Sequence, residues 1–248
     1  MRFLVQSIVD PNLNFKSIEN IAKHLDVEIQ LRFLDKNRFD NCYENLRDAL
    51  GYDAKKVTSI CGPSYPISNS TLFEDTVAIV SKLEDNLEVD IRSITTPFGS
   101  KHIDELCDFY RDEVSINVLP YSHSGKLGRL DPITMAIKVD GMRSIIPQTE
   151  IGMTIEATKV SKSFFDESII VPLSDYIGEI HIDFLVGVQT HMPPDPNFLS
   201  KLKSNASLVL SFNPNDTLDI SYFNRIKQIV ALIKQKLAIL EHLGSPSL

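Results

Sequence analysis

Two titratable residues lie two positions apart in the run Ile180-His181-Ile182-Asp183-Phe184. Alternate side chains of a strand point to opposite faces, so Ile180, Ile182 and Phe184 share one face while His181 and Asp183 share the other. A strand buried on both faces would be apolar throughout. An imidazole and a carboxylate on one face can bind a metal ion or move a proton. Thr154-Ile155-Glu156-Ala157 offers a second inward carboxylate, Glu156, by the same alternation. Lys159, just beyond it, could bind a phosphate, polarise a carbonyl, or form a Schiff base if burial lowers its pKa. Its alternative reading is a solvated loop lysine.

These residues need elements to hold them. Apolar alternation predicts strands at Arg2–Ile8, Val27–Phe33, Val57–Cys61, Val89–Thr95, Val114–Leu119, Gly152–Ala157, Gly178–Phe184 and Ser207–Phe212. Helical patterns fall between them, near Ser17–His24, Asn41–Leu50, Thr71–Leu83, Lys101–Arg111, Ile133–Val139 and Phe198–Lys203. Ser163–Ser174 is mixed. In the last segment, Ser221–Leu243, Phe223, Ile226, Val230, Ile233, Leu237 and Leu240 recur every three or four residues as one buried stripe. Strands alternating with helices imply right-handed crossovers and a parallel sheet. Eight such units in 248 residues predict an α/β protein, a single (β/α)8 TIM barrel spanning 1–248. An open nucleotide-binding sheet is the competing architecture. Its Gly-x-Gly-x-x-Gly turn is absent after the first strand, where Ile8-Val9-Asp10-Pro11-Asn12-Leu13 has no glycine. The loop Gly125-Lys126-Leu127-Gly128-Arg129 fits no phosphate-loop spacing.

In such a barrel the apolar set of each strand packs on the helices and the alternate set points inward. The inward polar set is then Gln30 and Arg32 on strand two, Asn117 on strand five, and Glu156 on strand six. His181 and Asp183 follow on strand seven and Ser211 on strand eight. All are expected at the C-terminal ends, where active sites of this fold gather. His123 and His191 fall in the loops after strands five and seven and can reach the same place. His24, His102 and His242 lie in helical segments and are expected at the surface. The bland alternative is that the inward polar groups merely satisfy one another.

Composition narrows the function classes. With 33 acidic and 25 basic residues the formal net charge is -8, which argues against a nucleic-acid partner gripped through its phosphates. Cys42, Cys61 and Cys107 stand far apart and read as reduced thiols of a cytoplasmic protein. No apolar run is long enough for a secretion signal or a membrane span.

Gly178-Glu179-Ile180-His181-Ile182-Asp183, followed by His191-Met192-Pro193-Pro194-Asp195, resembles the seventh strand and loop of the xylose-isomerase-like barrels. Ile151-Gly152-Met153-Thr154-Ile155-Glu156 resembles their sixth strand, and Leu208-Val209-Leu210-Ser211-Phe212-Asn213-Pro214 their eighth. The group contains sugar and sugar-phosphate isomerases and epimerases and metal-dependent apurinic endonucleases. The resemblance implies a divalent ion held by acids on strands five, six and eight and a histidine on strand seven. Glu156 and His181 take two of those places; Asn117 and Ser211 stand where the other two acids would be. It further implies that Lys159 occupies a substrate-binding place. The expectation is a sugar or sugar-phosphate isomerase or epimerase with Glu156, His181 and Lys159 as catalytic groups. Gln30, Arg32, Asn117, Asp183, Ser211, His123 and His191 would bind substrate. Mn²⁺, Mg²⁺, Co²⁺ or Zn²⁺ would be held weakly by Glu156 and His181, or no metal at all. The alternative is a non-catalytic or regulatory small-molecule-binding barrel. An endonuclease site would need many more metal ligands.

Overall fold

A computed structural model describes residues 1–12, 15–63, 71–122, 131–157, 167–184, 199–202, 205–212 and 220–244. Eight parallel strands run Arg2–Val9 (β1), Glu28–Phe33 (β2), Val57–Cys61 (β3) and Ser93–Phe98 (β4). They continue with Ser115–Ser122 (β5), Ile151–Glu156 (β6), Ile177–Phe184 (β7) and Ser207–Phe212 (β8). Each strand pairs with its sequence neighbours, and β8 pairs with β1, Arg2 lying opposite Ser207 and Gln6 opposite Ser211. The sheet is therefore a closed (β/α)8 TIM barrel with no free edge. Its strands are rich in Val, Ile, Leu and Phe on one face, as a sheet covered by helices requires.

Seven α-helices are described: Lys16–His24 (α1), Lys36–Leu50 (α2), Leu72–Leu87 (α3), Ser100–Tyr110 (α4), Pro132–Ile145 (α5), Glu167–Leu173 (α6) and Ile220–Gly244 (α7). Local chemistry sets several ends. The Asp35 side chain accepts from the Arg38 backbone N–H at 2.8 Å and caps α2. Asp131 accepts from the N–H groups of Ile133 and Thr134, with Pro132 in the first turn of α5. The stripe expected on α7 is partly visible, with Val230, Ile233 and Leu237 buried. No described helix is long and apolar enough to cross a membrane.

Two strands differ from expectation in ways that matter for the site. Strand four starts at Ser93 rather than Val89; Val89 and Ile91 are buried but precede the strand, which continues through Pro97 to Phe98. Strand five runs to Ser122 rather than ending at Leu119. From Glu167 on, the mixed segment before β7 is the short helix α6 and a 3-10 turn at Ser174–Tyr176; residues 163–166 lie outside the described residues. The main apolar core lies between barrel and helices, built from residues such as Ile29, Leu31, Phe39, Leu46, Ile60, Leu83 and Ile103. The barrel interior is different in kind: it is polar.

Candidate functional site

The interior is organised around a residue the sequence reading passed over. Glu179 on β7 is completely buried. Its carboxylate accepts from Thr95 Oγ1 at 2.6 Å, from Gln30 Nε2 at 3.2 Å, and lies 3.0 Å from His181 Nε2. Alternation places Glu179 on the face of His181, so its inward direction is legible in the sequence. A carboxylate removed from water needs such partners, because an unpaired buried charge is strongly destabilising. Three strands, β2, β4 and β7, supply them.

Gln30 is the hub of the network. Its Nε2 also donates to Ser59 Oγ at 2.9 Å, and its Oε1 accepts from Gln6 Nε2 at 2.7 Å. Gln6 Oε1 in turn accepts from Ser211 Oγ at 3.2 Å. Ser59 Oγ accepts from Ser93 Oγ at 2.9 Å. Sequence reading found Gln30 and Ser211 and missed Gln6, Ser59, Thr95 and Glu179. Gln30 thus braces the barrel interior, at the depth of the fully buried Glu179. Thr154 Oγ1 is also buried there, without a hydrogen-bond partner among the described residues.

Above this network lies the C-terminal mouth. Glu156 and His181 are register partners on the adjacent strands β6 and β7, and both are buried. Their shared inward phase puts carboxylate and imidazole side by side. Arg32, on β2, pairs in register with Cys61 on β3. The Cys61 thiol is pushed up to about 12 by burial, which the Arg32 cation opposes and the Glu179 and Glu156 charges reinforce. Arg32, Glu156 and Glu179 therefore act on one common point.

His181 Nε2 faces the Glu179 carboxylate at 3.0 Å, which leaves Nδ1 as the ring nitrogen turned away from it. A carboxylate orienting an imidazole is the arrangement of general-base and of metal-ligating histidines alike.

Several expected placements change. Asn117 is not at the mouth. It pairs in register with Gly152, four residues before Glu156 on β6, or about 13 Å along the strand. The reason is the extension of β5 to Ser122: Asn117 is the third residue of a longer strand and belongs to its N-terminal half. Ser211 does lie near the mouth, but its hydroxyl is spent on Gln6. His102, expected at the surface, is buried on α4 with its ring nitrogen 2.7 Å from Thr96 Oγ1; the inner face of α4 meets β4 there. His24 is exposed. Asp183 has its backbone opposite Ser211 on β8, and its side chain lies outside the described residues. Lys159, His123, His191 and the Gly125–Arg129 loop also lie outside them.

The donor set can be tested against a divalent ion. Among the described residues no group of three His, Cys, Asp or Glu side chains converges as a metal site. Asn117 is too deep, Ser211 is a weak neutral donor already bonded, and Glu179 reaches only the Nε2 side of His181. Glu156 and the Nδ1 of His181 are two donors where a firmly held ion needs four or more. The described residues do not fit a resident metal.

No protein-family model matches this sequence, and the search of curated proteins found no match. Solved structures are similar in fold. A Toxoplasma gondii protein assigned as an orotidine-monophosphate decarboxylase superposes with a TM-score of 0.52 at 13% identity, over 95% of this chain and 93% of that one. A xylose isomerase-like TIM barrel/4-hydroxyphenylpyruvate dioxygenase fusion protein gives a TM-score of 0.49 at 12% identity, over 100% of this chain and 45% of the other. At such identities the first likeness establishes the fold alone: this chain is a TIM barrel.

Proposed function

We propose that the protein is a sugar or sugar-phosphate isomerase or epimerase that works by proton transfer at the C-terminal mouth of the barrel. The observation that carries this reading is the placement of Glu156 beside His181, with Glu179 fixing the imidazole from below. Such chemistry takes a proton from the carbon next to a carbonyl, leaves an enediolate, and returns a proton to the neighbouring carbon or to the opposite face. It requires one base, one acid and a cation near the developing oxyanion. His181 Nδ1 is the base and Glu156 its acid–base partner. Arg32 supplies the positive charge, and Lys159 is assigned to the phosphate of the substrate from its position in the sequence. No step needs an oxidant or a resident metal.

The test is deuterium exchange. Aldoses, ketoses and their phosphates are incubated with the protein in D2O and followed by proton NMR. Exchange at the carbon beside the carbonyl is expected for at least one substrate, falling about 100-fold or more in His181→Asn and in Glu156→Gln. Saturable binding without exchange across the panel would favour the alternative reading, a barrel that binds the ligand without turning it over. Unchanged exchange in both variants would remove these residues from the chemistry.

A further inference from the structure

We propose that the opposite, N-terminal end of the barrel carries a second binding site, for a small oxyanion presented as a phosphate or carboxylate group. That end normally contributes stability rather than function. Here it opens into a cleft whose space of about 340 Å³ includes open solvent. Asn117 and Ser207 line it, 4% and 3% exposed. Neither side chain hydrogen-bonds with any other described residue. Their polar atoms reach the cleft surface, where water or a ligand can serve as the partner.

The floor is built to take Asn117. A Cβ on Gly178 would stand 1.9 Å from Asn117 Oδ1, and one on Gly152 2.8 Å from it. Only paired glycines leave room for the amide. With Oδ1 turned to the glycines, the NH2 group is the part left for the cleft, and it can only donate. Ser207 adds a hydroxyl. Arg143, on α5, supplies the charge: its Nε donates to the Ile151 carbonyl at 2.6 Å and its Nη2 to the Asp175 carbonyl at 3.1 Å. It also stacks over Tyr176 but pairs with no carboxylate among the described residues. The second guanidinium at the cleft, Arg2, is neutralised by Glu28 at 2.5 Å. The rim carboxylate Glu150 is exposed and is taken by Ser115 at 3.0 Å and by Asn205. The donors Asn117, Ser207 and Arg143 therefore face the cleft with the Glu150 carboxylate at its rim, and Arg143 is the cation there that can pair with an acceptor-only ligand.

The site is independent of the chemistry at the mouth, and its test keeps the two apart. Inorganic phosphate and acetate are titrated by calorimetry into the Arg32→Ala protein, whose mouth lacks its cation. Saturable binding of at least one anion is expected to remain. Adding Asn117→Asp, which keeps the volume and puts a charge of the wrong sign in the cleft, should weaken it at least tenfold. Adding Arg143→Gln, on the outer helix, should do the same. Circular dichroism and thermal melting establish that each variant is folded, and Arg143→Gln decides alone if Asn117→Asp is not. The phosphate and acetate arms identify which oxyanion is preferred. Absence of saturable binding of both anions to Arg32→Ala, or affinity unchanged by the cleft substitutions, would overturn the proposal.

Discussion

Asn117 Oδ1 lies where a Cβ on Gly178 would have to stand, 1.9 Å from that position, although β5 and β7 do not pair. The asparagine reaches across Gly152 on the intervening strand β6 to touch the next one. Two glycines on neighbouring strands are thus explained by one amide.

Gly178→Ala should accordingly be destabilising by about 1–3 kcal/mol, the usual cost of overpacking an interior. The double variant Gly178→Ala/Asn117→Ala should recover much of that loss, since the clash disappears with the amide. Urea denaturation of the three variants gives the cycle. Additive losses would mean that the two residues do not meet.

Glu179 separates charge from volume. Glu179→Gln keeps the shape and an acceptor for His181, so stability should change little, whereas Glu179→Ala leaves Thr95, Gln30 and His181 without their common acceptor. The alanine variant should lose about 1–3 kcal/mol for each donor left unpaired, read by chemical denaturation. Proton exchange on substrate should fall in both, because the imidazole loses the charge that fixes it.

All three cysteines should be inert in the native protein. Burial comes first in each case and pushes Cys42 and Cys107 to about 11 and Cys61 to about 12. The thiolate, which is the reactive form, is then scarce at neutral pH. Ellman's reagent should find no fast thiol before denaturant is added and three afterwards. Rapid native labelling of Cys61 would show that the mouth opens more widely than its burial implies.

Glu28 makes stability depend on pH at the acid side. Burial alone would raise its carboxyl; hydrogen bonds from Arg2 and Thr58 and the charges of Arg2 and Arg92 outweigh that and hold it below 4.5. A lowered folded value stabilises the protein above the unfolded value, and that contribution fades as pH falls through the folded one. Thermal midpoints measured from pH 6 down to about pH 3 should drop less steeply in Glu28→Gln than in the parent. Parallel curves would mean that the ion pair is not kept in solution.

Held by Glu156 and the free nitrogen of His181, a divalent ion should bind loosely. Elemental analysis of the purified protein is expected to find well under one equivalent of Mn, Co or Zn. Added Mn²⁺ or Zn²⁺ should bind weakly by calorimetry, and His181→Ala should remove that binding. A stoichiometric ion that survives a chelator would show that other ligands complete the site.

The sequence carried the barrel well because its evidence is repeated eight times. β3 and β8 have the very bounds that alternation predicts, and the other strand ends shift by a few residues. Inward phase was legible too, at Gln30, Glu156 and His181, since the pleat fixes it residue by residue. Depth was not. Asn117 has the right face and the wrong level, because nothing before Pro120 tells that β5 continues to Ser122. Glu179 was missed for the complementary reason: it stands next to Gly178 at the foot of β7, where a carboxylate looks like part of a turn. Its three partners come from β2, β4 and its own strand, and no local pattern brings them together. Sequence spacing reports direction from the barrel wall but not height along the axis.

Closure of the barrel has a consequence for how the chain is made. Leu4 to Gln6 take one neighbour from residues 28–30 and the other from residues 209–211. During synthesis the first strand must therefore wait, one side bare, until nearly the whole barrel has left the ribosome. A row of unpaired peptide groups exposed for that long is an invitation to pairing with other chains. The long separation between partners also makes the final docking step slow. Here the waiting half-barrel would expose Gln6, Gln30 and Ser59 rather than a purely apolar lining. The hydrophilic interior that serves the finished site would thus also keep the unfinished one hydrated until its last strand arrives.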